Sequence, residues 1–492
     1  MQKFSCQPKL KLSLPIVKNN KDFEAYKNIV NRMGQVLSQS GIESNFICYF
    51  LNLKQDLKSA TYSKILTPKE IDKHSANASS ILRCAIARMF NQESYQKFSL
   101  HLAESAVLQQ FCMVDDLVEI SIPSKSKLQS DEKIIPKEII DQLNDMLLKT
   151  CTNSDENPLE LSETFTDHDV LMDSTCLLSN IHYPVDWALL RDGSITLLKA
   201  IERIRKTGLK SRIKETKKLL SMVNQLVISF SRCNGVGSRK KKKKAFRKLR
   251  KFTERILAHA DRYYTLLSER WMETTLTPGQ KDNILQQIDS IRNQLPLAIT
   301  LASDRLLNGI VAKNSEKILT LYDDSTNVII RGKAGARVEY GCKLMLAELR
   351  NGFIVDLELY RSNIDDVTLT VESLNRVLEK GIKIKSAVSD RGCDGPKSRS
   401  LIEKENIKNA LCSRSVPKLI EQMKDPEFRA LQKRRAQTEA RIGIIKNNFI
   451  GNAIRTKNFV SKGVHIAWAM LTHNLKLVAK LDVKKDVLQQ AA

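Results

Sequence analysis

The sequence predicts an α/β protein: a mixed β-sheet flanked by helices, preceded by a helical amino-terminal region and interrupted by a large helical insertion. Three observations point that way. Apolar residues recur at helical spacing from about Asp22 to Thr150, and again from Asp186 to about Asn308. From Lys317 the period switches to two. Strand-like and helical segments then alternate as far as Phe449, the order expected of a sheet covered by helices.

Composition narrows the function classes. The chain of 492 residues is long enough to bury more than one core. Lys and Arg total 80 against 55 Asp and Glu, a net charge of +25, so the surface attracts a polyanion and nucleic acid is the expected partner. No run of about 18 uncharged apolar residues occurs, and Met1 to Asn20 mixes Lys, Pro and short apolar pieces. A soluble, cytoplasmic protein with no membrane association is expected. The 10 Cys are scattered without a C-x-x-C pair, which argues for reduced buried thiols over a disulfide framework or zinc ribbon.

In chain order, Thr67-Pro68-Lys69-Glu70 predicts a capped helix through Phe90, a second helix covers Ser94 to Met113, and a third begins at Pro136. These helices suit either a helix-turn-helix-like DNA reader or a plain bundle. The polar stretch Thr152 to Pro158 predicts a linker. After it, His168 to Thr175 is a short apolar run that ends in Asp173, read either as a strand-end functional acid or as a turn cap. In the helical insertion, 10 of the 13 residues from Arg239 to Lys251 are basic, with Phe246, Leu249, Phe252 and Ile256 as an apolar stripe. We expect Lys240, Lys241, Lys242, Lys243, Lys244 and Arg247 to contact phosphates, a solvated face being the alternative.

Further on, Ile318–Tyr322, Asn327–Ile330, Val338–Leu349 and Phe353–Tyr360 read as strands, with Asn351-Gly352 as a hairpin turn. A helix from Asp366 to Lys380 precedes a strand, Ile382–Ser389, that delivers Asp390. A helix, a short strand (Ile407–Leu411) and a final helix follow. On that final helix, Arg435, Glu439 and Lys446 fall within about 40° of one another beside an apolar stripe of Leu431, Ile442, Ile445 and Phe449. If the strands bearing Asp173 and Asp390 are neighbours and this helix packs across them, Asp173, Asp390 and Glu439 converge. Three carboxylates without His or Cys make a hard oxygen site for Mg²⁺ or Mn²⁺, and two such ions suit phosphoryl transfer.

These residues carry a resemblance. Asp173-Ser174-Thr175 with Asn180 to Asp186, Gly332-Lys333-Ala334 with Val338 to Lys343, Ser389-Asp390-Arg391-Gly392, and Arg435-x₃-Glu439-x₆-Lys446 together resemble bacterial insertion-sequence transposases of the DDE class. The resemblance spans about residues 90 to 480 and departs from the Tyr-x₂-Arg-x₃-Glu-x₆-Lys signature at Gln432, which stands in the tyrosine position. It implies an RNase H-like catalytic core in which Asp173, Asp390 and Glu439 bind two Mg²⁺ or Mn²⁺ ions and catalyse DNA cleavage and strand transfer. It also implies that Arg435 and Lys446 contact phosphates, with no covalent enzyme–DNA intermediate. The implied partners are double-stranded DNA, as terminal inverted repeats and target, and a second copy of the chain in a homodimer on that DNA.

The expected organisation is residues 1–158 as the helical amino-terminal region, 159–200 as the first part of the core, 201–315 as the insertion, 316–480 as the rest of the core and 481–492 as a tail. Two alternatives stay open. One is an RNase H-like nuclease that only hydrolyses, and the other is a catalytically inactive, transposase-derived DNA-binding protein.

Overall fold

The computed structural model describes residues 14–62, 65–114, 120–153, 157–162, 165, 168–213, 215–233, 238–333 and 336–481. Ala334, residues 154–156 of the expected linker and the tail from 482 onward lie outside the described residues.

Seven amino-terminal helices can be traced among the described residues: α1 (Lys21–Gln39), α2 (Ile42–Tyr62), α3 (Pro68–Phe90), α4 (Tyr95–Glu104), α5 (Ala106–Cys112), α6 (Lys125–Lys133) and α7 (Lys137–Thr152). Helix α3 opens on the expected box: Thr67 N–H donates to Glu70 Oε2 at 2.8 Å while Pro68 supplies a residue whose missing N–H costs nothing there. The single helix expected over Ser94 to Met113 is broken at Ser105. Its hydroxyl accepts the Leu108 N–H at 3.3 Å and starts a new helix, a local competition that apolar spacing does not register.

After β1 (Asp169–Ser179) come α8 (Asp186–Lys206), α9 (Thr216–Ser231), α10 (Ser238–Arg270), α11 (Pro278–Arg292) and α12 (Leu295–Ser303). The remaining elements are β2 (Asn327–Lys333), β3 (Ala336–Leu349), β4 (Ile354–Tyr360), α13 (Asp366–Glu379), β5 (Ser386–Ser389), α14 (Pro396–Lys404), β6 (Lys408–Leu411), α15 (Val416–Gln422), α16 (Pro426–Ile445), β7 (Ala453–Ile454) and α17 (Phe459–Val478).

One mixed sheet results. Strand β3 runs antiparallel to β1 on one side and pairs on its other side with β2 along its first half and β4 along its second. Beyond β1 the sheet is parallel, in the order β1, β5, β6, and β7 joins the far end of β1. The β3–β4 turn falls at Asn351-Gly352, where Gly352 takes φ +90°, a conformation L side chains resist. Residues 318–322, expected as a strand, are irregular: Leu321 is drawn into the helical insertion's core and the backbone pairs with no neighbour among the described strands. Strand β5 is also shorter than its apolar run, because Ile382 and Ile384 pack into the core from an irregular segment that precedes the ladder.

The apolar residues form two main clusters. The first unites the amino-terminal helices, one face of the sheet, α13 and α17, through residues such as Phe46, Leu82, Leu143, Val170, Leu374 and Trp468. The second runs from Leu189 to Leu321 and unites α8 with the helices of the expected insertion. A fully buried Lys462 stitches its exit to the sheet: the ammonium is ion-paired with Asp323 and donates to Ser325 Oγ at 3.1 Å and Ser179 Oγ at 3.3 Å. The nine described cysteines are free thiols. No helix among the described residues is long and apolar enough to cross a membrane.

Candidate functional site

The site is built at the parallel junction of β1 and β5. Their register pairs Asp169 with Ser386, Val170 with Ala387 and Leu171 with Val388, and Ser389 Oγ donates to the Met172 carbonyl at 2.8 Å. Carried two residues further, the same register sets Asp173 beside Asp390, the first residue past β5. Asp173 does not end its strand, contrary to the reading of its apolar run. Strand β1 continues to Ser179 because β3 pairs with it from Val170 to Leu178. On its other side β5 pairs only as far as Leu171 and β7 joins only at Leu178, so β1 keeps an unladdered window between them. Asp173 stands in that window.

Helix α16 packs across the same face. Residues two apart on a strand are about 6.7 Å apart and residues four apart on a helix about 6 Å, so alternate β1 side chains meet successive turns of a helix laid along them. Leu171 clusters with Phe428 and Leu431. Asp173 feels the charges of Arg435 and Glu439. Thr175 Oγ1 accepts from Lys446 Nζ at 2.7 Å. The helix is bolted down elsewhere too: Gln432 Nε2 donates to the Ala410 carbonyl at 2.5 Å and the Ser389 carbonyl at 3.2 Å, and Arg441 Nε pairs with the fully buried Glu348 at 2.8 Å. Gln432 therefore fastens α16 to the ends of β5 and β6, a role within reach of an amide.

Electrostatics tie the acids together. Asp173 is pushed up to about 6, first by burial and then by the negative charges of Asp390 and Glu439, while the Ser174 N–H, which donates to Asp173 Oδ1 at 2.8 Å, and the Arg435 charge pull the other way. Asp390 Oδ1 accepts the Gly392 N–H at 2.9 Å. The loop that follows is clamped by Arg414, whose Nη2 donates to the Gly392 carbonyl at 2.7 Å and Nε to the Arg391 carbonyl at 3.0 Å. Glu439 is exposed and its Oε1 accepts from Arg435 Nη1 at 2.9 Å. Among the described residues no three Asp, Glu, His or Cys side chains lie close enough together to form a ready metal group. The donors that do gather are all carboxylate oxygens, a set that fits Mg²⁺ or Mn²⁺ and offers nothing to a softer ion.

The Lys446 side chain, expected at phosphate, turns inward toward β1. Besides Thr175 its Nζ reaches the Cys176 carbonyl at 2.6 Å, inside the window that β5 and β7 leave open, and so satisfies a backbone acceptor. Two contributors went unread in the sequence: Arg414, and Asp366 at the start of α13, whose Oδ1 accepts the Ser174 hydroxyl at 2.7 Å. The signal available for Asp366 was the pair Asp365-Asp366, of which a helix needs only one as cap.

The basic run lies on α10, where Phe246, Leu249, Thr253 and Ile256 are buried against the insertion. Lys240, Lys241, Lys244 and Arg247 are exposed, whereas Lys242 and Lys243 are half-buried. Lys243 Nζ donates to the Leu307 carbonyl at 2.6 Å and so braces the insertion itself.

Comparison with protein-family models, curated proteins and solved structures returned no match for this chain.

Proposed function

We propose that the chain is a DDE-class transposase with an RNase H-like core, carrying out divalent-metal-dependent cleavage and strand transfer on DNA. The observation that carries this reading is the β1–β5 junction, where Asp173 and Asp390 stand side by side under the helix that bears Arg435 and Glu439, and where burial and then the charge of Asp390 raise Asp173. Asp173, Asp390 and Glu439 would hold the metal. Bound there, Mg²⁺ or Mn²⁺ supplies positive charge against the negative charge that develops on a phosphodiester. The protein's own part is to keep the carboxylates close, to aim Arg435 at them and to hold DNA on the exposed cations of α10. A net charge of +25 supports a polyanionic partner.

The test uses DNA flanking the gene, incubated with the purified chain and Mg²⁺. Nicking at terminal inverted repeats followed by joining of the 3′-hydroxyl end to target DNA is expected, and both steps should vanish in Asp390→Asn with binding retained. Hydrolysis without joining would leave a nuclease, and binding without cleavage a DNA-binding descendant. Cleavage by Asp390→Asn at the wild-type rate would remove Asp390 from the site.

A further inference from the structure

We infer that Asp366 is a positioning residue for the Asp173 and Asp390 carboxylates, acting on both from the opposite face of the sheet. The inference rests on the metal-site reading above. Successive side chains on a strand point to opposite faces, so Asp173 meets α16 while Ser174 meets α13. Asp366 Oδ1 accepts the Ser174 hydroxyl at 2.7 Å, and the Ser174 N–H donates to Asp173 Oδ1 at 2.8 Å. A hydrogen-bonded path thus crosses the strand from Asp366 to Asp173.

Asp366 also comes near Asp390. A Cβ on Gly392 would stand 3.0 Å from Asp366 Oδ2 and 3.1 Å from Asp390 Oδ1, so the two carboxylates border one small space beside Gly392. Asp366 is itself held. Lys343 Nζ pairs with Asp366 Oδ1 at 2.9 Å and is fixed by the Ile364 carbonyl at 2.6 Å. Helix capping does not account for Asp366, since Asp365 already accepts the Thr368 N–H at 2.9 Å. The Lys343 charge offsets that of Asp366, so the residue can brace two repelling acids without adding a full third negative charge beside them. Groups that orient metal ligands in this way typically change metal affinity by about 10- to 100-fold when removed.

The experiment is Mn²⁺ titration of the full chain without DNA, read by calorimetry and by electron paramagnetic resonance, for wild type, Asp366→Asn, Ser174→Ala, the double variant and Asp390→Asn. Asp366→Asn should lose about 10-fold or more in Mn²⁺ affinity with its far-ultraviolet circular dichroism unchanged. Ser174→Ala should lose affinity too, and the double variant little more than Asp366→Asn, because the Ser174 route runs through Asp366. A purely structural ion pair would lower the melting temperature and leave Mn²⁺ affinity at the wild-type value, which overturns the inference. Should Asp366→Asn fail to fold, Ser174→Ala decides by the same criterion. If Asp390→Asn loses Mn²⁺ and Asp366→Asn does not, this inference alone falls. If wild type and Asp390→Asn bind Mn²⁺ equally, the metal site falls and takes the inference with it.

Discussion

Helices α16 and α10 read alike in the sequence, as basic helices with an apolar stripe, yet the structure uses their charges in opposite ways. On α16, Arg435 is paired with Glu439 of the same helix and Arg441 with Glu348 of β3, and Lys446, the residue that follows α16, is bound to β1. Those cations are engaged within the protein itself. On α10, Lys240, Lys241, Lys244 and Arg247 stand in solvent and remain available to a polyanion. A basic residue near a candidate site thus has two uses, and burial with a named acceptor separates them better than charge density does.

The largest expected effect tests the inward half of that contrast. Lys446→Met should remove the ammonium's bonds to the Cys176 carbonyl and Thr175, cost about 1–3 kcal/mol of stability and abolish cleavage at every salt and DNA concentration. Rescue of cleavage at low salt would return Lys446 to the phosphate-binding class with α10. The outward half is tested by changing the exposed Lys240, Lys241 and Lys244 to Gln together. Their removal should leave the fold and metal binding intact, weaken binding to any DNA, and reduce the slope of log affinity against log salt by about 3, since each duplex phosphate neutralised contributes about 0.9. An unchanged slope in the titration makes the strip a solvated face.

A smaller effect concerns the acids beneath α16. Asp173 holds its proton more tightly folded than unfolded, so this group favours folding below about pH 4, and that contribution disappears as pH rises through about 6. Without metal, Asp173→Asn should therefore stabilise the protein on the order of 2 kcal/mol at pH 8 and leave it unchanged at pH 3.5. Denaturant midpoints at the two pH values measure this, and equal stability at pH 8 would remove the combined effect of burial and repulsion on Asp173. The smallest effect is Arg435→Gln. Removing its charge should move Asp173 above about 6 in a carboxyl-resolved NMR titration, and no movement would place Arg435 outside the site.

Several elements were legible because their signals are local. The Thr67 box, the Asn351-Gly352 turn, the helical blocks and the period-two strands follow from spacing and from turn chemistry, which neighbours within a few residues decide. Misreadings came where distant partners decide. Residues 318–322 have a strand's pattern but lose Ile318 and Leu321 to the insertion, and Ser105 interrupts a helix that spacing alone would continue.

By itself the sequence determined an α/β chain with a strongly basic surface, a helical insertion, and acids at Asp173, Asp390 and Glu439, because composition and periodicity need no partner to be read. Only the tertiary structure decided that Asp173 lies mid-strand in a window between β5 and β7, that Lys446 fills part of that window, and that Asp366 reaches the acids from behind. The physical reason is that strand neighbours are chosen by long-range pairing, so the environment of a side chain on β1 depends on where β5 stops, more than 200 residues later.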